Sequence, residues 1–312
     1  LENLGIEVYA WDAHAMKASG FAVNGIAAID YQRLFSERQF DWAVLDFWYL
    51  AEYYLPMIRR LSPRSEVVVD TVDIHFVRET REAELKQDDM LMRKAMMQKE
   101  REIRVNNQAD RRWVVTDEDR KVIADLVPGT PIEVVPNIHD EVKHRKSYDD
   151  SSGLLFVGNF GHPPNVDAIT WFCREIAPLV KREIPDVRIS VVGHYPTDEV
   201  KALGSDGVDV TGYVEDLSPY LKNARISIAP LRYGAGMKGK IGEALSWGIP
   251  VVTTSIGAEG MNLVDGEHAL IADDAETFAA HIVRLYRDSA LWEHLSANGR
   301  ESVESQWSPQ AV

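Results

Sequence analysis

The run from Ala229 to Thr254 constrains the fold more than any other part of the chain. It reads as strand, glycine-rich loop, helix and strand. Gly248 stops the helix and Pro250 confirms the stop. Gly234, Gly236 and Gly239 let backbone amides approach an anion. Lys238 and Lys240 bring positive charge to the start of the helix, where free amides and the helix dipole also favour an anion. Glu243 follows one turn later, placed to accept hydrogen bonds from hydroxyls beside a bound phosphate. A diphosphate flanked by sugar hydroxyls describes a nucleotide ligand.

Two familiar loop patterns overlap this run, and neither accounts for it. Gly234-x4-Gly239-Lys240 fits a P-loop until its last position, where Ile241 stands in place of the Ser or Thr that holds magnesium. Gly234-x-Gly236-x-x-Gly239 fits a dinucleotide-binding turn. That turn belongs after the first strand of its unit, however, and this one lies several strands in. A plain tight turn into a helix is the remaining alternative, since glycines often serve geometry alone.

The same alternation of strand and helix runs through the 312 residues. In the first half, strands are predicted at Glu7–Ala10, Trp42–Asp46, Glu66–Asp70, Trp113–Thr116 and Ile132–Val135. They are short, β-branched or aromatic, and bounded by polar residues. The charged segment 78–109, with Leu85, Met92 and Met96 spaced 7 and 4 apart, is expected to be a solvated amphipathic helix packed on a sheet. Contact of its methionines with a membrane surface is the minor alternative. A polar run from His139 to Gly153 reads as a linker. A second series follows, with strands at Leu154–Val157, Arg188–Val192, Val208–Thr211, Arg225–Ala229, Pro250–Thr254 and Ala269–Ile271. Helices are expected near Val166–Glu183, Glu199–Leu203, Leu217–Asn223 and Lys240–Trp247. The expected fold class is therefore α/β: two Rossmann-like domains, 1–150 and 151–312, each with a parallel sheet covered on both faces and a cleft between them.

A formal net charge of −15 argues against a nucleic-acid partner, which needs a basic face. The one cysteine, Cys173, allows no disulfide within the chain, and a reducing, cytoplasmic setting is expected. No apolar run approaches the ~18 residues of a membrane helix, and no signal peptide is read at the start. The chain opens Leu1-Glu-Asn-Leu-Gly-Ile-Glu-Val without a methionine, so a fragment of a longer polypeptide is expected.

Five segments together resemble one family. They are Leu155-Phe-Val-Gly-Asn-Phe-Gly-His-Pro-Pro-Asn-Val-Asp167, Val191-Val-Gly193, Val210-Thr-Gly-Tyr-Val-Glu-Asp-Leu217, the Ala229–Thr254 run and Gly257-Ala-Glu-Gly-Met261. In this order and spacing they are similar to the donor-binding domain of GT-B retaining glycosyltransferases of family 4 (group 1). The first half looks like the acceptor-side domain, with Asp70-Thr-Val-Asp-Ile-His-Phe-Val-Arg78 resembling a segment of one branch. The resemblance implies a nucleoside-diphosphate sugar held mainly by the second domain and a glycan or glycolipid hydroxyl entering from the first. It implies retention at the anomeric carbon, no metal and no separate cofactor. It also implies that the first strand–loop–helix portion of the acceptor-side domain is absent, so that other domains of a longer polypeptide are partners. Cell-envelope or exopolysaccharide synthesis at the inner face of a membrane is the context it suggests, with peripheral membrane contact.

Carried over residue by residue, Glu243 matches the second glutamate of the family's Glu-x7-Glu pair and would hold the ribose. The first glutamate falls at Ala235, which leaves the sugar ring to the amides of Gly236 and Met237. The arginine expected after Gly158 is Asn159, and the expected lysine falls at Asn165. The diphosphate clamp is therefore expected to move to Lys238 and Lys240, with Arg232 as a further cation, because losing two charge-assisted bonds would be costly. Solvated helix-start charges are the alternative for the lysines. Gly212 and Tyr213 match the turn that meets the base, although Tyr213 could equally be a packing aromatic. His75 and Asp73, after a strand that should end at the cleft, are the candidate catalytic residues, with a structural histidine as the alternative. The spacing of Asp70, Asp73 and His75 fits no firm metal motif. The expected activity is transfer of a sugar from a nucleoside-diphosphate sugar to a glycan or glycolipid hydroxyl. The rivals are a GT-B sugar-nucleotide epimerase and a non-catalytic binding module of a larger synthase.

Overall fold

The computed structural model describes residues 31–140, 142–143, 147–205 and 207–312. The strand expected at Glu7–Ala10 lies outside the described residues. Two parallel sheets are formed, of four and six strands.

The first sheet has the order β1 (Trp42–Asp46), β2 (Glu66–Thr71), β3 (Arg111–Val114), β4 (Ile132–Val134), and every pairing is parallel. It is preceded by α1 (Tyr31–Glu37). Its crossovers are α2 (Trp48–Leu61), the pair α3 (His75–Lys86) and α4 (Asp89–Asn106), and α5 (Asp117–Leu126). β2 lies inside the sheet and buries Val67, Val68 and Val69 completely, as a strand covered on both faces should. Among the described residues β1 is at the edge of the sheet and leaves Trp42 and Val44 exposed.

The segment expected as one helix over 78–109 is two. Gln87 takes a left-handed backbone (φ 51°), and Asp88 caps the new helix by accepting from Met90 N (2.8 Å) and Leu91 N (3.1 Å). An Asx cap of this kind competes with helix continuation. The expected apolar stripe is also corrected, because Leu85 and Met96 are exposed. Ala95, Glu102, Val105 and Asn106 turn inward instead.

After a turn at Ser147–Asp150 the chain enters the second sheet. Its order is β10 (Leu270–Ile271), β9 (Val251–Thr253), β8 (Ala224–Ala229), β5 (Ser152–Val157), β6 (Ile189–Val192), β7 (Val208–Gly212), again all parallel. Its helices are α6 (Pro163–Trp171), continued through a wider π turn at Phe172–Ile176 into α7 (Ala177–Glu183), then α8 (Asp198–Lys201), α9 (Ser218–Asn223), α10 (Gly239–Ser246), α11 (Ser255–Ala258), α12 (Ala275–Arg287) and α13 (Ser289–Gln306). Successive strand residues feed opposite faces. Leu154, Phe156, Ile226 and Ile228 join a core closed by Phe172, Phe278 and Trp292. Leu155, Ala229 and Val251 join another, under Ile241, Leu245 and Trp307.

The stop expected after the glycine-rich helix is present. Gly248 is left-handed (φ 67°), its N–H reaches Leu245 O (2.8 Å), and Ile249 N reaches Ala244 O (2.9 Å). Because all strands of each sheet are parallel, their C-terminal ends share one edge. In open α/β sheets ligands bind beyond that edge.

Candidate active site

The two sheet units meet through the loop before α10. Gly236 is left-handed (φ 67°), and a Cβ there would lie 2.6 Å from Val72 O, so only glycine fits. Its N–H lies near the Asp119 carboxylate and works against the burial that raises the pKa of that group. Arg81 of α3 donates to Gly234 O (2.7 Å) and grips Glu259 with two bonds (2.6 and 2.7 Å).

Sequence reasoning pairs Lys238 with Lys240, but the structure turns them apart. Lys238 is the N-cap residue of α10 and is buried. Its Nζ donates to Gly236 O (2.8 Å) and lies 4.0 Å from Glu259 Oε2. Burial lowers its pKa to about 8, and Glu259 and Asp119 oppose the shift. It braces the loop from inside. Lys240 points toward β5: Nζ bonds to Asn165 Oδ1 and sits 4.5 Å from the Phe156 ring centre. Its pKa falls to about 7 through burial. No carboxylate neutralises it among the described residues. Asn165 is itself oriented by donating to Asn159 O (2.8 Å). The position where the family's lysine was expected therefore carries an amide that receives the ammonium of Lys240. His162, the N-cap residue of α6, lies in the field of Arg78, Lys240 and His75. Burial, then those charges, lower its pKa to about 4.

Arg232 is corrected. It is held by two bonds to Asp167 (Nε to Oδ2, 2.9 Å) and lies over the Trp171 ring, so it is not a free cation of the loop. Gly158 ends β5 against Val192 O (2.9 Å), and Asn159 Oδ1 accepts from Gly161 N (2.9 Å). Gly239 opens α10, and Met237 is half-buried on its core. Glu243 is half-buried one turn into α10. Its carboxylate has no hydrogen bond among the described residues, and burial raises its pKa. Gly212 ends β7. Tyr213 is 61% exposed, with its ring 4.1 Å from that of His194.

On the other wall, Asp73 and His75 follow β2. Asp73 Oδ2 is bonded to Arg78, while Asp73 Oδ1 is buried without a partner. His75 begins α3. Its backbone N–H and that of Phe76 donate to the buried Glu102 carboxylate (3.2 and 3.0 Å). Burial lifts the pKa of Glu102 to about 7 and lowers that of His75 to about 4. His75 Nδ1 accepts from Trp48 Nε1 (3.0 Å), and Nε2 lies 4.0 Å from Asp73 Oδ2. Phe47, at the end of β1, has φ 65°, costly for a bulky residue, and its ring and that of Tyr49 lean on His75. Sequence reasoning missed Trp48, Arg81, Glu102 and His162. Only His162 carried a local signal, directly before the Pro163-Pro164 start of α6. Among the described residues no three His, Cys, Asp or Glu side chains are arranged to hold a metal, and no helix is long and apolar enough to cross a membrane.

Residues 151–288 match the family model described as glycosyl transferases group 1. The chain is 29% identical over 187 residues to an uncharacterized 44.6 kDa protein in the cps region of Klebsiella pneumoniae, covering 56% of this chain and 48% of that one. It is 27% identical over 182 residues to the capsular polysaccharide biosynthesis glycosyltransferase CapM of Staphylococcus aureus, covering 55% and 46%. The chain thus spans about half the length of the curated relatives it matches. Among solved structures it is similar to sucrose-phosphate synthase from Thermosynechococcus elongatus (TM-score 0.72, 17% identity, 90% of this chain and 73% of that one). It is also similar to Anabaena HepE in complex with UDP and glucose (0.66, 14%, 89% and 76%). The fold is GT-B.

Proposed function

We propose that this glycosyltransferase moves a sugar from a nucleoside-diphosphate sugar to a hydroxyl of a glycan or glycolipid, with retention and without a metal ion. The observation that carries the reading is Lys240. An ammonium withdrawn from water and paired only with an amide oxygen and a ring face is costly unless an anion joins it. Arg78 adds to the same field, and the start of α10 adds its amides. Glu243, one turn further along α10 and without a hydrogen bond among the described residues, is suited to ribose hydroxyls, and Tyr213 with His194 is suited to a base.

In this reading the diphosphate leaves as the sugar gains oxocarbenium character. Lys240 and the loop amides carry the growing charge, which is the main electrostatic term of such a site. Asp73 Oδ1, buried and unsatisfied, accepts a hydrogen bond from a substrate hydroxyl. The CapM and HepE likenesses support a polysaccharide acceptor and a nucleotide sugar donor respectively. Ala235 favours a second reading, a nucleotide-sugar-binding module without transfer, because the family's sugar-facing glutamate is missing there.

Calorimetric titration with UDP, GDP, TDP and ADP, without and with magnesium, tests the site. Binding of one base without metal is expected. Binding of none would overturn the assignment. Release of the nucleoside diphosphate from its sugar in the presence of acceptor then separates transfer from mere binding.

A further inference from the structure

The indole of Trp48 is a donor only, so its 3.0 Å bond to His75 Nδ1 requires a bare lone pair on that nitrogen. A neutral imidazole then carries its proton on Nε2. The arrangement is enforced from several sides. Trp48 is 6% exposed and stands perpendicular to the His75 ring, with Arg101 over its far face at 4.7 Å. Phe47 and Tyr49 lie against the imidazole at 5.8 and 5.9 Å. Glu102 fixes the backbone by taking the N–H groups of His75 and Phe76.

We propose that Trp48 is a positioning residue that locks His75 as the Nε2–H tautomer, so that His75 serves the cleft as a hydrogen-bond donor and not as a base. The inference rests on the proposed transfer for its functional consequence, but the lock itself does not. With Nδ1 occupied and Nε2 protonated, the ring has no lone pair left to take a proton from a hydroxyl. It offers one N–H, 4.0 Å from Asp73 Oδ2, within reach of an oxygen placed between them. The charged and titratable groups around the ring are Asp73, just before α3, Arg78 of α3, Glu102 from α4, Tyr49 from α2, and His162 from the second sheet unit. Loss of water holds the ring neutral. A second proton on Nδ1 would also have to displace the indole bond.

The test is nitrogen-15 NMR of the imidazoles in the full chain, combined with a double-mutant cycle. The His75 resonances are expected to report Nε2–H and a bare Nδ1, unchanged from pH 5 to 8. In Trp48→Phe, which keeps a buried ring but loses the N–H, both tautomers are expected, and kcat falls roughly tenfold, the scale of one lost hydrogen bond. In a His75→Ala background Trp48→Phe is expected to change kcat no further, because the tryptophan acts through the histidine. A wild-type spectrum showing Nδ1–H or a mixture overturns the lock, and needs no variant to fold. An equal drop for Trp48→Phe in both backgrounds overturns the positioning role and leaves only packing. If the tautomer is locked but no nucleoside-diphosphate sugar is turned over, the transfer reading fails and the lock stands.

Discussion

Replacing Lys240 by methionine separates binding from stability. The chain of the lysine lies against Phe156, so methionine fills a similar volume while the ammonium is lost. The fall of the Lys240 pKa from 10.5 to about 7 sets a ceiling near 5 kcal/mol on the cost of keeping it charged. The residue is half-buried at the cleft, and water relaxes much of that cost. A net gain of about 1–2 kcal/mol is therefore expected for the free Lys240→Met protein at pH 7. That is a rise of about 2–6 °C in Tm by calorimetry. The sign follows from proton counting. Between pH 7 and 10.5 the unfolded lysine binds a proton that the folded one has lost, so this group makes stability climb with pH across that window. The climb is absent in Lys240→Met. Binding moves the other way. Loss of a charge-assisted bond to phosphate, about 1.5–3 kcal/mol, weakens nucleoside diphosphate roughly 10- to 150-fold in Kd. A bound diphosphate also favours the charged lysine, so near pH 8 the wild type takes up a proton on binding. Titration in two buffers of different ionisation heat reads that uptake. Undiminished affinity in Lys240→Met would show that the ammonium faces no phosphate, and the reasoning behind the site would fail with it.

Gly236→Ala is expected to lose about 1–3 kcal/mol, since a Cβ at φ 67° meets Val72 O at 2.6 Å; an unchanged Tm would contradict that close approach. Arg81→Met removes the double bond to Glu259 and the bond to Gly234 O, and should cost about 1–3 kcal/mol with a smaller penalty in a Glu259→Gln background; equal penalties would mean the pair is not coupled. Glu243→Gln should weaken nucleoside diphosphate about tenfold while leaving inorganic pyrophosphate affinity unaltered; a loss for both ligands would remove the ribose role.

The second sheet was legible because its strands are short apolar runs between turn residues. Leu154–Val157, Val208–Thr211 and Arg225–Ala229 were each placed within two residues of the observed bounds. Gly248 announced its own left-handed stop. The break at Gln87–Asp88 was not legible, because both residues sit in a charged run where a helix period continues on either side. At the site, position 240 could be named but its direction could not. Neighbours in sequence on a helix start, Lys238 and Lys240 diverge because one side chain has Glu259 and Asp119 to reach and the other has Asn165. Trp48, Glu102 and Arg81 were invisible for a simpler reason. Each reaches its partner across more than 25 residues, and no local pattern encodes such a pairing.

Three breaches of ordinary packing rules fall near the cleft. Asp73 Oδ1 is buried and unpaired, Lys240 is a desolvated cation without a carboxylate, and Phe47 holds a left-handed backbone. All three lie at or just beyond the C-terminal strand ends of the two sheets, with Lys240 opening the helix after β8. None stabilises the free protein. Asp88, Thr116, Thr197, Thr254 and Asp274, by contrast, cap their helices by side-chain bonds. A cation with no carboxylate partner among the described residues and a carboxylate oxygen without a partner are groups available for something that binds between them. The missing complement is anionic beside Lys240 and hydroxyl-bearing beside Asp73. A nucleoside-diphosphate sugar carries both, in that order, along one molecule.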